Sequence, residues 1–157
     1  MRLKWNPKTE IRSSLSPRLN VNDYKTDYAI DFEGKNGEIS IGSNKVSGKD
    51  NFIQKFKKVL LSTNTPIITY GLYHLLPKSS DQTQFDEECS VLASALVKHK
   101  FSDSRPDSPN GLGYTIEAIR SMEYDFNEDI LYVTMKVTGI DSDITVDVPV
   151  FVVRHKQ

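Results

Sequence analysis

Carboxylates are the most numerous side chains in this sequence that could carry out catalysis. The chain has 21 Asp and Glu residues among 157. Hydrolysis of a glycosidic bond needs two of them across a cleft, about 5 to 9.5 Å apart. The acids here fall instead in the first turns of helices, on the outer faces of strands and in turns, where they stabilise helix dipoles or face solvent. We therefore predict no catalytic pair of acids.

The histidines and the single cysteine also lack the arrangement of a reactive site. His74, His99 and His155 lie far apart, and none has the spacing of a metal-ligand motif. Cys89 lies on the apolar stripe of a helix, where a free cysteine behaves as a small hydrophobic residue. Neighbouring acids would raise its pKa and so oppose thiolate formation. These patterns predict no catalytic residue, no metal and no cofactor.

Composition limits the remaining classes of function. Gly111-Leu112-Gly113 has no third glycine and no Lys-Ser/Thr after it, so it does not predict a phosphate-binding loop. The net charge of -1 gives no overall attraction to nucleic acid or to an anionic membrane. No apolar run approaches the roughly 18 residues of a spanning helix, and one cysteine indicates folding in a reducing cytosol. We expect no nucleic acid, no small-molecule substrate and no membrane insertion.

The first 24 residues differ in composition from the rest of the chain. Five basic residues stand against two acidic ones, and prolines at positions 7 and 17 interrupt any period. We interpret residues 1–24 as an extended arm, either a loose tail or a segment that orders on a partner with Trp5 and Leu3 as anchors. Residues 25–157 then form a single domain.

Hydrophobic periodicity predicts the elements of that domain. Tyr28 to Glu33 alternates like a half-buried strand and turns back at Asn36-Gly37. Apolar residues then recur with helical spacing from Phe52 to Leu60, and again from Phe85 to Val97. A loop rich in Pro, Gly, Ser and Asp follows at 102–113. The fold class is α+β, with two helices packed on a small mixed or antiparallel sheet.

The last third of the chain predicts a three-strand β-meander. Apolar and polar residues alternate in three runs separated by turns. The final run, Ile144 to Val153, contains Pro149, which cannot donate a backbone hydrogen bond and so indicates a strand at the sheet edge. A long apolar edge is an aggregation hazard unless something covers it. The cover is either another element of the same chain or a partner strand added by β-augmentation.

Two short patterns in this order of elements resemble a known family. Val59-Leu60-Leu61-Ser62-Thr63 at a helix end, followed by Tyr70-Gly71-Leu72, is similar to the baseplate wedge or sheath-initiator proteins of contractile phage tails, sometimes labelled lysozyme-like. The resemblance covers about residues 24–153. Asn64-Thr65-Pro66 stands where many members carry Gly-Glu-Arg, and Ser104-Arg105-Pro106 stands near the place of Glu-Pro-Arg, which indicates a divergent branch.

The resemblance implies a structural protein of the virion that is assembled in the host cytoplasm. Members attach to other baseplate wedge proteins, link them to tail tube subunits, and start the sheath by pairing strands with its first subunits. The expected partner-docking residues are Trp5, Arg105, Val146, Val148, Val150, Phe151 and Val152. Two alternatives remain at this point: a lysozyme-like glycoside hydrolase, as the family label would have it, and a nucleic-acid-binding accessory protein.

Overall fold

The computed structural model describes most of the predicted domain and the start of the arm. The described residues are 1–8, 11–12, 27–31, 40–46, 48–62, 71–98, 116–137, 140 and 142–151, with the backbone alone at 27–31, 40–46, 48 and 51. Within them the chain forms the following strands and helices: β1 Arg2–Trp5, β2 Ile11–Arg12, β3 Asp27–Asp31, β4 Ser40–Val46, α1 Gly48–Leu60, α2 Gln82–Lys98, β5 Ile116–Asp125, β6 Ile130–Val137 and β7 Ile144–Pro149.

The main sheet is antiparallel and has the order β1-β5-β6-β7, with β2 also paired to β5. The predicted meander is β5, β6 and β7, and side-chain exposure alternates strictly along β6 because successive side chains of a strand point to opposite faces. Asp129, with φ of 53°, closes the turn between β5 and β6, a conformation that Asp tolerates better than most residues. The α+β prediction is confirmed.

One hydrophobic core lies between the helices and one face of the sheet. The stripe of α1 and the predicted face of α2 are buried against the inward rows of β5, β6 and β7. Of the residues in the two predicted helical stripes, Ile53 is half-buried and the others are buried. This one-sided burial leaves the opposite face of the sheet to polar side chains such as Thr134 and Lys136.

Local capping fixes where α2 begins. Asp81 accepts a hydrogen bond from the backbone N–H of Gln84 at 3.1 Å, and Ser79 Oγ accepts one from the N–H of Asp81 at 3.1 Å. These bonds satisfy groups that the first turn of a helix leaves without partners. The helix therefore starts at Gln82, directly after Asp81.

A second, two-stranded sheet precedes α1. Strands β3 and β4 pair antiparallel, with a register shift between Tyr28 and Ile30. The predicted strand pair is thus present, with β4 ending at Val46, while the turn predicted at Asn36-Gly37 lies outside the described residues.

The start of the N-terminal segment is bound to the domain and is not a separate arm. Strand β1 pairs with β5, with Leu3 opposite Tyr124 and Trp5 opposite Met122. Trp5 is only 3% exposed and belongs to the core. The reason is that its large apolar surface is better buried against the chain's own sheet than held in solvent. Residues 1–8 and 11–12 of the predicted arm are therefore part of the domain, and its remaining residues, 9–10 and 13–24, lie outside the described residues.

The last strand is shorter than predicted. Strand β7 ends at Pro149, and the N–H of Val150 then bonds the carbonyl of Val148 at 2.9 Å in a tight turn. Phe151 donates its N–H to the carbonyl of Asp129 at 3.1 Å. The alternation beyond Pro149 therefore does not continue the strand over the residues described.

No helix in the described parts of the chain has the length and apolar character to cross a membrane.

Core truncation tests the assignment of the two helical stripes. Phe56 and Leu96 are both fully buried. We expect Phe56→Ala to lower the free energy of unfolding by about 3–5 kcal/mol and Leu96→Ala by about 2–5 kcal/mol, because each leaves a cavity. Val91→Ala is the control on α2, since Val91 is 54% exposed, and should change stability by about 0.5 kcal/mol or less. Denaturant melts measure all three, and losses below about 1 kcal/mol at both core sites would contradict the packing.

Candidate docking site at a sheet edge

Strand β7 forms one edge of the main sheet. Among the described residues it pairs with β6 alone, as the proline in the sequence predicts. An edge strand presents backbone N–H and C=O groups that a further strand can bond. Which of its residues present these groups depends on how the hydrogen bonds alternate along the strand.

Pro149 determines that alternation. It lies opposite Ile130 in the register, and Asp147 and Thr145 follow at steps of two residues. A hydrogen-bonded antiparallel pair exchanges two N–H···O=C bonds, and proline has no N–H to give. Its pair is therefore of the non-hydrogen-bonded kind, and by alternation so are those at Asp147 and Thr145. The backbone N–H and C=O groups of Thr145 and Asp147 consequently point away from β6.

Two contacts elsewhere in the sheet agree with this alternation. The hydroxyl oxygens of Thr134 and Thr145 are 2.8 Å apart, as expected where opposed side chains approach closely in a non-hydrogen-bonded pair. Extended across β6 and β5, the same alternation directs the carbonyl of Met1 towards β5. That carbonyl accepts a hydrogen bond from the N–H of Phe126 at 3.0 Å.

The opposite edge of the sheet, at β1, is partly occupied by the chain itself. The alternation directs the carbonyl of Lys4 outwards, and Gln82 Nε2, at the start of α2, donates to it at 3.0 Å. Since this outward group has a partner, a further strand would have to displace it. Of the two edges described, β7 is therefore the one better prepared to accept a strand.

Four of the predicted docking side chains are buried, although they were expected to be exposed to a partner. Val146, Val148 and Val150 are buried in the chain's own core, so their side chains do not form an exposed apolar surface. They face inwards because β7 covers the helices with its apolar row. Phe151 is half-buried. Trp5 is also in the core, while Arg105 and Val152 lie outside the described residues.

The residues that the edge presents are ones that sequence reasoning did not single out. Thr145 and Asp147 alternate with the buried valines and are exposed. The alternation of polar and apolar residues was the available signal, but the hydrogen-bonding direction requires the register with β6. Asp147 is 56% exposed, and Lys57 Nζ lies 3.9 Å from its Oδ1, a surface contact that contributes little.

The polar face of the sheet carries two acids held by one arginine. The guanidinium of Arg2 lies 3.1 Å from Asp125 Oδ2 and 3.8 Å from Glu123 Oε1. Burial favours the neutral form of Asp125, but the N–H groups of Glu128 and Asn127 and the charge of Arg2 outweigh it and lower its pKa. A general acid needs a raised pKa, and the pKa of Asp125 is shifted in the opposite direction.

The polar face also has a shallow concavity of about 420 Å³, floored by Ser121, Thr134 and Thr145 and flanked by Arg2 and Tyr132. Arg2 lies 5.7 Å from the ring centre of Tyr132, which fixes its guanidinium over the sheet. A second hollow, of about 310 Å³, lies beside α2 near Val91. Within the described residues no group of three or more metal-ligating side chains occurs.

Cys89 is a buried core residue. Its pKa is raised well above the ordinary value by burial and, to a lesser extent, by the carboxylates of Asp86 and Glu88. The thiol is therefore protonated and enclosed, as its place on the apolar stripe predicts.

No family model, no curated protein and no solved structure matches this chain.

The pH dependence of stability tests the role of Asp125. Its pKa is lower in the folded chain than the unfolded value of about 3.9. Its ionised form therefore stabilises the fold above about pH 4, and this contribution is lost as the pH falls through the folded-state pKa. We expect Asp125→Asn to be less stable than the parent chain near pH 7, with a difference that shrinks in acid.

Urea melts across this pH range measure the effect. Arg2→Gln retains the backbone hydrogen bonds to Asp125 and should lose only part of the stability. If the stability difference between the parent chain and Asp125→Asn stays constant down to about pH 2, the charge of the Asp125 carboxylate is not the source of that difference.

Proposed function

We propose that this chain is a structural component of a contractile phage tail baseplate. It links wedge proteins to the tail tube and starts the sheath by pairing a strand with it. The observation that carries the proposal is the edge of β7, where Thr145 and Asp147 direct their backbone groups outwards and no described element covers them. The resemblance of the helix end and the Tyr70-Gly71-Leu72 segment to sheath initiators supports the choice of partner.

The geometry of the edge is suited to docking by β-augmentation. Main-chain hydrogen bonds supply the affinity in this mode, and alternate side chains supply the specificity. The valines of β7 are already buried against α1 and the sheet, so docking would not require the core to open. Adding a strand would also remove the aggregation hazard of an exposed edge.

The hydrolase alternative has less support from the described residues. On the polar face of the sheet, Glu123 and Asp125 both have their carboxylates within ion-pair distance of Arg2. The lowered pKa of Asp125 is opposite to what a proton donor to a glycosidic oxygen needs.

The nucleic-acid alternative drew on the basic residues of the N-terminal segment. In the structure Arg2 is engaged by acids on the polar face, which reduces the positive charge that this segment offers to phosphates. Steeply salt-dependent DNA binding by the purified chain would favour this alternative over docking to sheath.

A pair of proline substitutions tests the docking edge. Thr145→Pro removes an N–H that points outwards and leaves the ladder to β6 intact, so the variant should fold. Val146→Pro removes an N–H that bonds β6 and leaves a carbonyl there without its donor, at a cost of at least about 1–3 kcal/mol. We expect Thr145→Pro to abolish sheath assembly while unfolding at nearly the same denaturant concentration as the parent chain.

Complementation of a phage that lacks the gene, with electron microscopy of the tails, provides the readout. Substitutions at Val148 or Val150 are poor probes, because the N–H of Val148 points towards β6 and that of Val150 bonds the carbonyl of Val148. Normal sheathed tails from folded Thr145→Pro protein would contradict the proposal.

Peptidoglycan hydrolysis separates the hydrolase alternative from the structural role. We expect the purified chain to release no more reducing sugar from cell walls than Glu123→Gln does, because the carboxylates on this face are bound to Arg2. Hydrolysis by the parent chain that disappears in Glu123→Gln, with stability retained, would establish the enzyme instead.

A further inference from the structure

We infer that the strand docking on β7 runs antiparallel to it and carries a lysine or arginine directly opposite Asp147, with an apolar residue on each side of that cation. The inference rests on the docking role proposed above and adds the chemistry of the partner. It is argued from the hydrogen-bonding direction, the charges and the two faces of β7.

The outward backbone groups set the register of the incoming strand. Thr145 and Asp147 each offer one N–H and one C=O, while Pro149 offers a C=O alone. The described sheet is antiparallel throughout, and antiparallel pairing is slightly stronger per residue than parallel pairing. In such pairs one residue of the partner lies directly opposite Thr145 and another directly opposite Asp147, with their side chains side by side.

Charge distinguishes the two acids near this edge. Asp143, just before β7, lies 3.3 Å from Arg120 Nε on β5. Among the residues that the structure describes, Asp147 has one ion pair, with Lys57 Nζ at the longer distance of 3.9 Å. A strand laid beside β7 would remove solvent from Asp147, and a carboxylate losing solvent requires an opposite charge. Of these two carboxylates, Asp147 is therefore the one with the longer and weaker ion pair.

The two faces of β7 set the residues that flank this cation. Val146 and Val148 point into the core, on the face that the helices cover. Partner residues opposite these valines point to the same face, because side chains alternate between faces with a period of two. They would extend the apolar row of β7, so apolar side chains are expected there.

A second copy of this chain fits the edge less well. Two β7 strands paired antiparallel about Val146 would put Asp147 opposite Thr145 of the other copy. Centred on Asp147, they would oppose two carboxylates, which is destabilising. Neither arrangement supplies a cation, so a different chain is the better occupant.

Titration of the ¹⁵N-labelled full chain with strand peptides tests the inference. The probe is a blocked heptapeptide of alternating Val and Thr in which one central Thr is replaced by Lys, and its control carries Gln at that place. We expect slowed amide exchange at Thr145 and Asp147 with both peptides, and binding about two- to fivefold tighter for the Lys peptide, which is the usual strength of a cross-strand ion pair.

Two variants localise the preference. Asp147→Asn should bind the Lys and Gln peptides equally. Asp143→Asn should keep the preference for Lys, because Asp143 lies before the start of β7 and 3.3 Å from Arg120 Nε. The preference should also weaken at high salt.

The outcomes separate the inference from the proposed function. Binding at β7 without preference for Lys, or with a preference that survives Asp147→Asn, overturns the inference and leaves the docking role standing. No change at Thr145 or Asp147 with any peptide overturns both. A concentration-dependent dimer in sedimentation that competes with the peptides assigns the edge to a second copy and overturns the inference.

Discussion

The missing N–H of Pro149 constrains the hydrogen bonding of the whole main sheet. Because a proline cannot complete a hydrogen-bonded antiparallel pair, it selects which residues of β7 bond β6 and which face outwards. Through β6 and β5 the same alternation reaches β1, where Met1 bonds Phe126 and the carbonyl of Lys4 meets Gln82. The hydrogen-bond alternation inferred from Pro149 at one edge thus agrees with the contacts observed at the other edge, three strands away.

The two edges of the sheet differ because the chain uses one of them itself. At β1, Trp5 is buried and Arg2 is held by two acids, so this short strand is fixed by side chains as well as by its ladder. Helix α2 begins beside it and bonds its outward carbonyl. At β7 the apolar row is equally well buried, but the outward backbone groups have no described partner. In β7 the buried residues stabilise the core, while the residues that alternate with them direct their backbone N–H and C=O groups away from the sheet.

The sequence predicted the parts of this fold that depend on local periodicity. The stripes of α1 and α2 and the alternation of the meander each extend over several turns or residue pairs, and they mark core faces directly. Strand β1 could not be predicted in this way. It has four residues, which are too few to show a clear alternation of apolar and polar residues. It also pairs with β5, which lies far along the chain, so local sequence does not indicate its partner. The position of β7 at the sheet edge was predicted from Pro149. Which residues of β7 direct their backbone groups outwards could be inferred only from the register of β7 with β6.

The burial of Val146, Val148 and Val150 changes the physical basis of the docking proposed for β7. An apolar strand was expected to offer its side chains to a partner, which would have made affinity a matter of hydrophobic area. With the valines buried in the chain's own core, the edge offers backbone groups and one poorly compensated carboxylate. Backbone hydrogen bonds are much alike for every strand and give little discrimination. Specificity must then come from the few side chains on the outward positions, which makes Asp147 the residue of this edge best able to distinguish one partner strand from another.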